Sequence, residues 1–267
     1  MDRKYTLQEL QDEVSGILRE TIRLCDENGI PYYGQAGTVL GAVRHQGPIP
    51  WDYDADLVIP SNEIHRFVQT CEEKLPKKYW VNFHTVYPEG FLQFPRVGLR
   101  GYSTDHLHVD IFQLIGLPDD RETQLAMIQE GVRYRRQKKR YQQGLKGTAA
   151  WFKHGEIGEG LASAGRLIRK DTGFMERMDA FCVRYPYEEA RFVMNPFGKY
   201  REKNIFRKEV YGEGQEVPYL DFKIRIPSEV DFYLKQYYGD YRKFPPQEKI
   251  DASMNHVFTV EEIEQNG

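Results

Sequence analysis

Cysteine is scarce. Cys25, Cys71 and Cys182 are the three in 267 residues. They are odd in number and far apart, so they build neither a CxxC pair nor a disulfide framework. A reducing compartment suits such a chain, and the cytoplasm is the expected one. No apolar run approaches membrane-spanning length, which would take about 20 consecutive apolar residues. The first segment, MDRKYTLQELQDEV, is polar and has no apolar stretch of the kind a secretory leader needs. Membrane contact is therefore expected only as peripheral contact, at the inner face. A surplus of one charge is also missing: Lys and Arg total 37 against 40 for Asp and Glu. That balance argues against a general nucleic-acid binder and leaves room only for a local basic patch. There is no internal repeat and no low-complexity linker.

What is present reads as a full globular core, with 40% hydrophobic and 13% aromatic residues. Thr6-Leu7-Gln8-Glu9 has the form of a capping box, and apolar residues from Leu7 to Cys25 follow at helical spacing until Gly29. Residues 38–44 read as a short helix, 54–59 as a buried strand and 61–75 as a helix, with strands near 80–87, 91–100 and 106–114. Pro118-Asp119-Asp120 caps a long helix expected to run to about Tyr141. Glycines at 144, 147, 155, 158 and 160 mark 143–160 as a flexible loop. After Phe192 come short strands in VPYLDFKIRIP and a last helix, 229–238, ended by Gly239. The expected fold class is α+β, with a mixed sheet and flanking helices. Residues 1–118 would form the catalytic core, 119–190 a mainly helical insertion, and 191–267 strands and a helix packing back on the core.

The chemistry concentrates in GTVLGAVRHQGPIPWDYDADLVIP, residues 37–60. Asp52, Asp54 and Asp56 fall at every second position, the strand period, so they share one face and repel one another unless a cation sits among them. Asp52 has a second reading, as the cap of the turn after Trp51. In DHLHVDIF, residues 105–112, His106, His108 and Asp110 alternate with Leu107, Val109 and Ile111. Two adjacent strands of this kind would bring Asp54, Asp56 and Asp110 around one point. Such an all-oxygen set suits Mg²⁺, with Mn²⁺ as substitute, shared with substrate phosphates. His106, His108 and Asp110 also have the alternation of a zinc site. Solvated surface strands carry such patterns with no ion at all.

The stretch GQAGTVLGAVRHQGPIPWDYDADLVIP, with HVDIFQLIGLP at 108–118 and VPYLDFKIRIP followed by DFYLKQYYGDYRKFPPQEK, resembles the LicD family. That family includes bacterial phosphocholine transferases and the fukutin-related proteins. The resemblance covers most of the chain, least clearly 119–190. It implies a nucleotidyltransferase-like core in which Gly37 and Thr38 approach nucleotide phosphates. It also implies that Asp54 and Asp56 are paired metal ligands, with Asp110 as the third carboxylate. The implied reaction moves a phospho-alcohol, phosphocholine first, from a CDP-linked donor to a hydroxyl of a glycan or lipid-linked glycan, releasing CMP. Two departures stand out: Tyr53, where the family often has Asp, and Gln35-Ala36 before Gly37.

Other residues keep two readings each. Arg44 would contact a donor phosphate or pair with a nearby aspartate. His45 would line the substrate or hydrogen-bond the turn before Gly47. Asp110 is the candidate acceptor of the attacking hydroxyl's proton. The basic run from Arg133 to Arg140 is a solvated helix face or an attraction for an anionic acceptor or membrane surface. Trp51, Tyr53 and Trp151 would cage a quaternary ammonium or pack in the core. The competing functions are a nucleotidyltransferase moving NMP and a catalytically silent nucleotide- or glycan-binding module.

Overall fold

The computed structural model describes residues 2–86, 92–102, 106–154, 173–254 and 256–261, with 139–154 by backbone alone. Strand β1 (Asp2–Tyr5) leads into helix α1 (Leu7–Glu27). The capping box forms as the sequence requires: Thr6 N–H donates to Glu9 Oε2 at 2.7 Å, and Glu9 N–H donates to Thr6 Oγ1 at 3.3 Å. Gly29, at φ 62°, turns the chain where α1 ends. Next come β2 (Tyr33–Gly34), α2 (Gly37–His45), β3 (Ala55–Pro60), a 3₁₀ turn (Ser61–Glu63) and α3 (Ile64–Lys74). Strands β4 (Tyr79–Asn82), β5 (Arg96–Leu99) and β6 (His108–Leu117) follow.

These strands build one mixed sheet in the order β2-β3-β6-β5-β4. Strands β3 and β6 run parallel, and the other pairs are antiparallel. The first half of β6 alternates buried Val109 and Ile111 with half-buried His108, Asp110 and Phe112. Its second half, Gln113–Leu117, is buried throughout. Helix α1 packs on β3, β5 and β6 and touches α3, so Val14, Ile17, Leu18 and Ile22 join Leu57, Ile59, Val109 and Ile111 in the main core.

The rest of the chain returns to the same sheet. Helix α4 (Arg121–His154) is capped by Asp120, whose Oδ2 accepts from Thr123 N–H at 2.7 Å. Helix α5 (Phe174–Cys182) and strands β7 (Phe192–Met194) and β8 (Ile205–Arg207) follow, and β7 pairs with the end of β6. Ile115, Met127, Phe174, Met178, Phe181 and Phe197 close a second core there. Helix α6 (Lys208–Tyr211), hairpin β9 (Gln215–Tyr219) and β10 (Phe222–Ile226), helix α7 (Val230–Tyr238), helix α8 (Gln247–Met254) and β11 (Phe258–Glu261) complete the chain. Strand β11 pairs with β1. The architecture is a mixed α/β fold on a mixed sheet.

Several expectations need correction. Helix α4 continues through Gly144 and Gly147 to His154, so 143–154 is helix, not loop. A helical glycine costs only about 1 kcal/mol against alanine, and the residues around those glycines are good helix formers. Residues 155–160 lie outside the described residues. The strand expected over 80–87 is Tyr79–Asn82, followed by a turn through 86. Aspartates 52 and 54 precede β3 rather than lying in it.

Two glycines of the 37–60 segment are explained by packing alone. A Cβ on Gly41 would lie 2.4 Å from Gly47 O, and one on Gly47 would lie 3.0 Å from Leu220 Cδ2. Helix α2 thus lies directly on the backbone that follows it. Gly41→Ala is expected to destabilise the protein by about 1–3 kcal/mol, as overpacking against rigid backbone does. Gly16→Ala is the control: its Cβ would meet only Tyr79 Oη, at 3.9 Å. It should be neutral or stabilising by up to about 1 kcal/mol. Chemical denaturation of both variants checks the contrast.

Candidate active site

The parallel pairing of β3 with β6 sets Asp56 beside Asp110, and the antiparallel pairing of β5 sets Arg96 beside Asp110 on the other side. Three charged residues therefore form one row across three strands, at steps of about 4.8 Å. The row opens into a cleft of 1120 Å³ that also receives Asp52, Asp54, Ala36 and Gly37. Tyr200, Tyr238, Tyr241, Trp51 and Phe244 give it an aromatic wall.

The four carboxylates differ in environment. Burial, then Asp110, Asp54 and Asp52 in turn, push Asp56 well above the carboxylate range, and Lys199 offsets this only in part. Asp54 reaches solvent inside the cleft. Enclosure raises it, His108 opposes the rise, and Asp110 adds to it. Asp52 is raised by burial and by Asp54. Asp110 goes the other way: burial works against its charge, but His108 and Arg96 hold it below the usual value. Its Oδ1 accepts from Arg96 Nε at 2.7 Å and lies 3.3 Å from His108 Nε2. Neighbouring carboxylates driven apart in this way mark sites with divided acid–base roles.

The donor set around Asp54, Asp56 and Asp110 is all oxygen and short of positive charge, which fits a hard divalent cation. Yet among the described residues no three His, Cys, Asp or Glu side chains already stand as a metal-holding group, and Asp110 Oδ1 is turned to Arg96. The zinc alternative is not assembled. His106 precedes β6, with Nδ1 2.8 Å from Tyr53 Oη and its ring against Phe258.

The turn before α2 is under constraint. Ala36 has φ 44° and ψ −105°, a conformation that an L-residue keeps only when its surroundings hold it. Its N–H donates to Tyr233 Oη at 2.9 Å, and that hydroxyl donates to Gln35 Oε1 at 2.9 Å. Gln35 Nε2 donates to Tyr237 Oη at 3.1 Å, which donates to Asn204 Oδ1 at 3.0 Å. Both tyrosines come from α7. The dipeptide that had no assigned consequence in the sequence is therefore the anchor of the turn.

Gly37 lines the cleft. Thr38 does not face it: it is buried, and its Oγ1 accepts from Asp56 N–H at 2.8 Å, so it fixes the start of β3. Asp52 both lines the cleft and caps its turn, accepting from Asp54 N–H at 3.3 Å. Arg44 borders the cleft but pairs with no aspartate among the described residues. Its Nη1 donates to Tyr241 O at 3.0 Å, its Nε donates to His45 Nε2 at 2.9 Å, and its guanidinium lies over Phe244 and Trp51. His45 accordingly binds Arg44, not the turn before Gly47. Of the aromatic trio, Trp51 lines the cleft, Tyr53 packs on Phe258, and the side chain of Trp151 lies outside the described residues. The basic run divides. Arg133 and Arg136 are exposed, Arg135 and Lys138 line the cleft, and the side chains of Lys139 and Arg140 lie outside the described residues. Arg96 and Lys199 were not picked out from the sequence. A charge inside the apolar stretch FPRVGL was the available signal for Arg96; none marked Lys199.

Residues 29–145 match the family described as LicD/FKTN/FKRP, nucleotidyltransferase domain. The chain is 28% identical to the lipopolysaccharide cholinephosphotransferase LicD of Haemophilus influenzae over 96% of its own length and 97% of that protein's. It is 48% identical to the human ribitol 5-phosphate transferase FKRP over 51 residues, 18% of this chain and 10% of that one. The mouse protein of the same name matches equally.

Tyr233→Phe keeps the ring and removes the hydroxyl that serves Ala36 and Gln35. Each buried group left unpaired costs about 1–3 kcal/mol, so the melting temperature should fall by roughly 2–4 °C per kcal/mol at this chain size. Asp56→Asn should do the opposite in metal-free protein. A carboxyl whose folded value is raised loses stability as pH rises from its ordinary value through the raised one. Removing that charge should thus raise the melting temperature at neutral pH, and the gap should close as pH falls. Thermal unfolding across pH, in chelator, reads both.

Proposed function

We propose that this chain, a member of the LicD family through residues 29–145, is a metal-dependent phosphotransferase that moves a phospho-alcohol, phosphocholine first, from a CDP-linked donor to a hydroxyl of a cell-surface glycan or its precursor, releasing CMP. The observation that carries this reading is the in-register row of Asp56 and Asp110, in one cleft with Asp54 and the first turn of α2. The near full-length likeness to a cholinephosphotransferase supports phosphocholine as the transferred group.

The donor's diphosphate belongs against the first turn of α2, where Ala36 and Gly37 line the cleft and a helix N-terminus favours anions. Mg²⁺ or Mn²⁺ on Asp54, Asp56 and Asp110 would neutralise the charge that grows on the diphosphate as its bond breaks. Asp110 is kept ionised by His108 and Arg96, so it is the carboxylate able to accept the attacking hydroxyl's proton. Thr38 and Tyr233 act as positioning residues, one through the Asp56 backbone and the other through Ala36. The aromatic wall gives a cytosine ring or a quaternary ammonium a face to lie on. Among the described residues no helix is long and apolar enough to cross a membrane. A lipid-linked acceptor would be met at the membrane surface.

A second reading draws on the family description, nucleotidyltransferase domain: the same carboxylates would serve attack on the nucleotide-side phosphorus, with diphosphate as product. Thermal unfolding with CDP-choline, CDP-ribitol, CDP-glycerol, CTP and ATP, each with and without Mg²⁺, separates the two. A ligand at about 100 times its Kd adds roughly 2.7 kcal/mol. The expected result is a Mg²⁺-dependent shift with one CDP-alcohol, abolished in Asp56→Asn, and CMP on incubation with acceptor. A shift with CTP or ATP and release of diphosphate would move the assignment to nucleotidyl transfer. Silence across the panel in folded protein would leave a binding module.

A further inference from the structure

The cleft has a second polar end that the carboxylates do not use. Gln93 and Asn195 are 3% and 2% exposed, and both line the cleft. Among the described residues, Gln93 Nε2 and Asn195 Nδ2 are buried donors without a partner. Such groups are rare in folded proteins, and each is costly unless something fills it. The orientation of Asn195 is fixed, because its Oδ1 already accepts from Phe197 N–H at 3.0 Å, which leaves the amide hydrogens for the cleft.

Around these donors stand cations. Arg96, Arg135 and Lys138 line the same end. Arg96 reaches Asp110, Arg135 Nη1 lies 3.5 Å from Gly198 O, and Lys138 Nζ lies over the Phe94 ring at 5.7 Å. The floor is apolar, made by Phe94, Phe112 and Phe197, with ring centres 4.3 Å and 6.2 Å apart for the pairs of Phe94 with the other two. Three positive side chains and two buried amide donors over an aromatic floor suit an anionic oxygen group carried on a sugar ring.

The position of this end says which substrate it serves. In the sheet order β3-β6-β5, Asp56 lies on one side of Asp110 and Arg96 on the other. The first turn of α2 reaches the row through Thr38 and Asp56, on the β3 side. On the proposed reaction, which this inference presupposes for its roles, the donor diphosphate occupies the β3 side and the attacking hydroxyl meets Asp110 from the β5 side.

We propose that Gln93, Arg96, Arg135, Lys138 and Asn195 form a phosphate subsite on the acceptor side of Asp110, so that the acceptor is a glycan carrying a phosphate near the hydroxyl that is modified. A neutral glycan would leave the two amides unfilled and would put no negative charge among the three cations.

The test is calorimetric titration of the full chain with inorganic phosphate in chelator, so that no cation mediates binding. It is run on wild type, Lys138→Met and Asn195→Asp, with folding checked by thermal unfolding. Lys138 is half-buried at the cleft rim, so its replacement should fold even if the asparagine variant does not. The expected result is phosphate binding weakened about tenfold or more in each folded variant, a loss of about 1.4 kcal/mol. In a separate titration without chelator, phosphate should still bind, and no more weakly, when wild type is first saturated with CDP-choline and Mg²⁺. Displacement of phosphate by CDP-choline would assign these residues to the donor and overturn the proposal. Absence of binding, or equal binding in the variants, would overturn it as well. Should CDP-choline, CDP-ribitol and CDP-glycerol all fail to bind, the transfer reading falls, while variant-sensitive phosphate binding still establishes the subsite.

Discussion

Like charge crowded into one place is the constraint from which the rest of this molecule can be understood. Asp52, Asp54 and Asp56 come from a single turn and strand, and the parallel pairing of β3 with β6 adds Asp110. Burial and mutual repulsion make the charged state of Asp56 costly, and Lys199 relieves it only in part. A fold that retains such a cluster is destabilised unless a ligand supplies the missing positive charge. Asp110 is the exception within the cluster, because Arg96 and His108 stabilise its negative charge. The cleft thus divides into carboxylates whose charge the chain leaves largely uncompensated and one that already has its partners.

Holding that cluster in register requires a rigid frame on the α2 side, and α7 supplies it from far along the chain. The Tyr233 hydroxyl is both acceptor for Ala36 N–H and donor to Gln35, and Tyr237 continues the network to Asn204. Gln35 N–H donates to Asp56 O at 2.9 Å, so the strained turn and the strand bearing the carboxylate are tied together. Thr38 adds a second tie through its hydroxyl. The left-handed backbone of Ala36 is tolerated because these bonds over-determine it.

Much of this was legible in the sequence, and what was not has physical reasons. The capping box, the apolar alternation of β6 and the run after Asp56 are local patterns, and each produced the element it announces. The carboxylates were found because period two in a half-buried strand leaves few alternatives. Asp54 was placed one element too far along, because only pairing with β6 decides where β3 begins, whereas Asp52 takes the turn-capping place that was its second reading. The extent of α4 was hidden by glycines that a helix can carry. Strands β1 and β11 are four residues each and pair across the whole chain, so nothing local marks them. The tyrosine network and the polar end at Gln93 and Asn195 were out of reach for the same reason, since their members meet only in the folded cleft.

The asymmetry of the row bears on the order of events. On the proposed reaction, Asp110 is already ionised before any donor arrives, because its charge is stabilised by residues of the chain itself. Asp54 and Asp56 are not ready to bind phosphate oxygens until a cation offsets their own repulsion. The cation and the diphosphate therefore favour each other's entry, one removing the negative charge that would repel the other. If Asp110 met the same cation through Oδ1, that oxygen would leave Arg96, and the guanidinium would be freed toward Arg135 and Lys138. Occupation of the donor side would then strengthen the positive end at the moment an anionic acceptor is needed there. On that reading the two ends of the cleft would be coupled through one carboxylate, because Asp110 stands between Asp56 and Arg96 in the row of neighbouring strands.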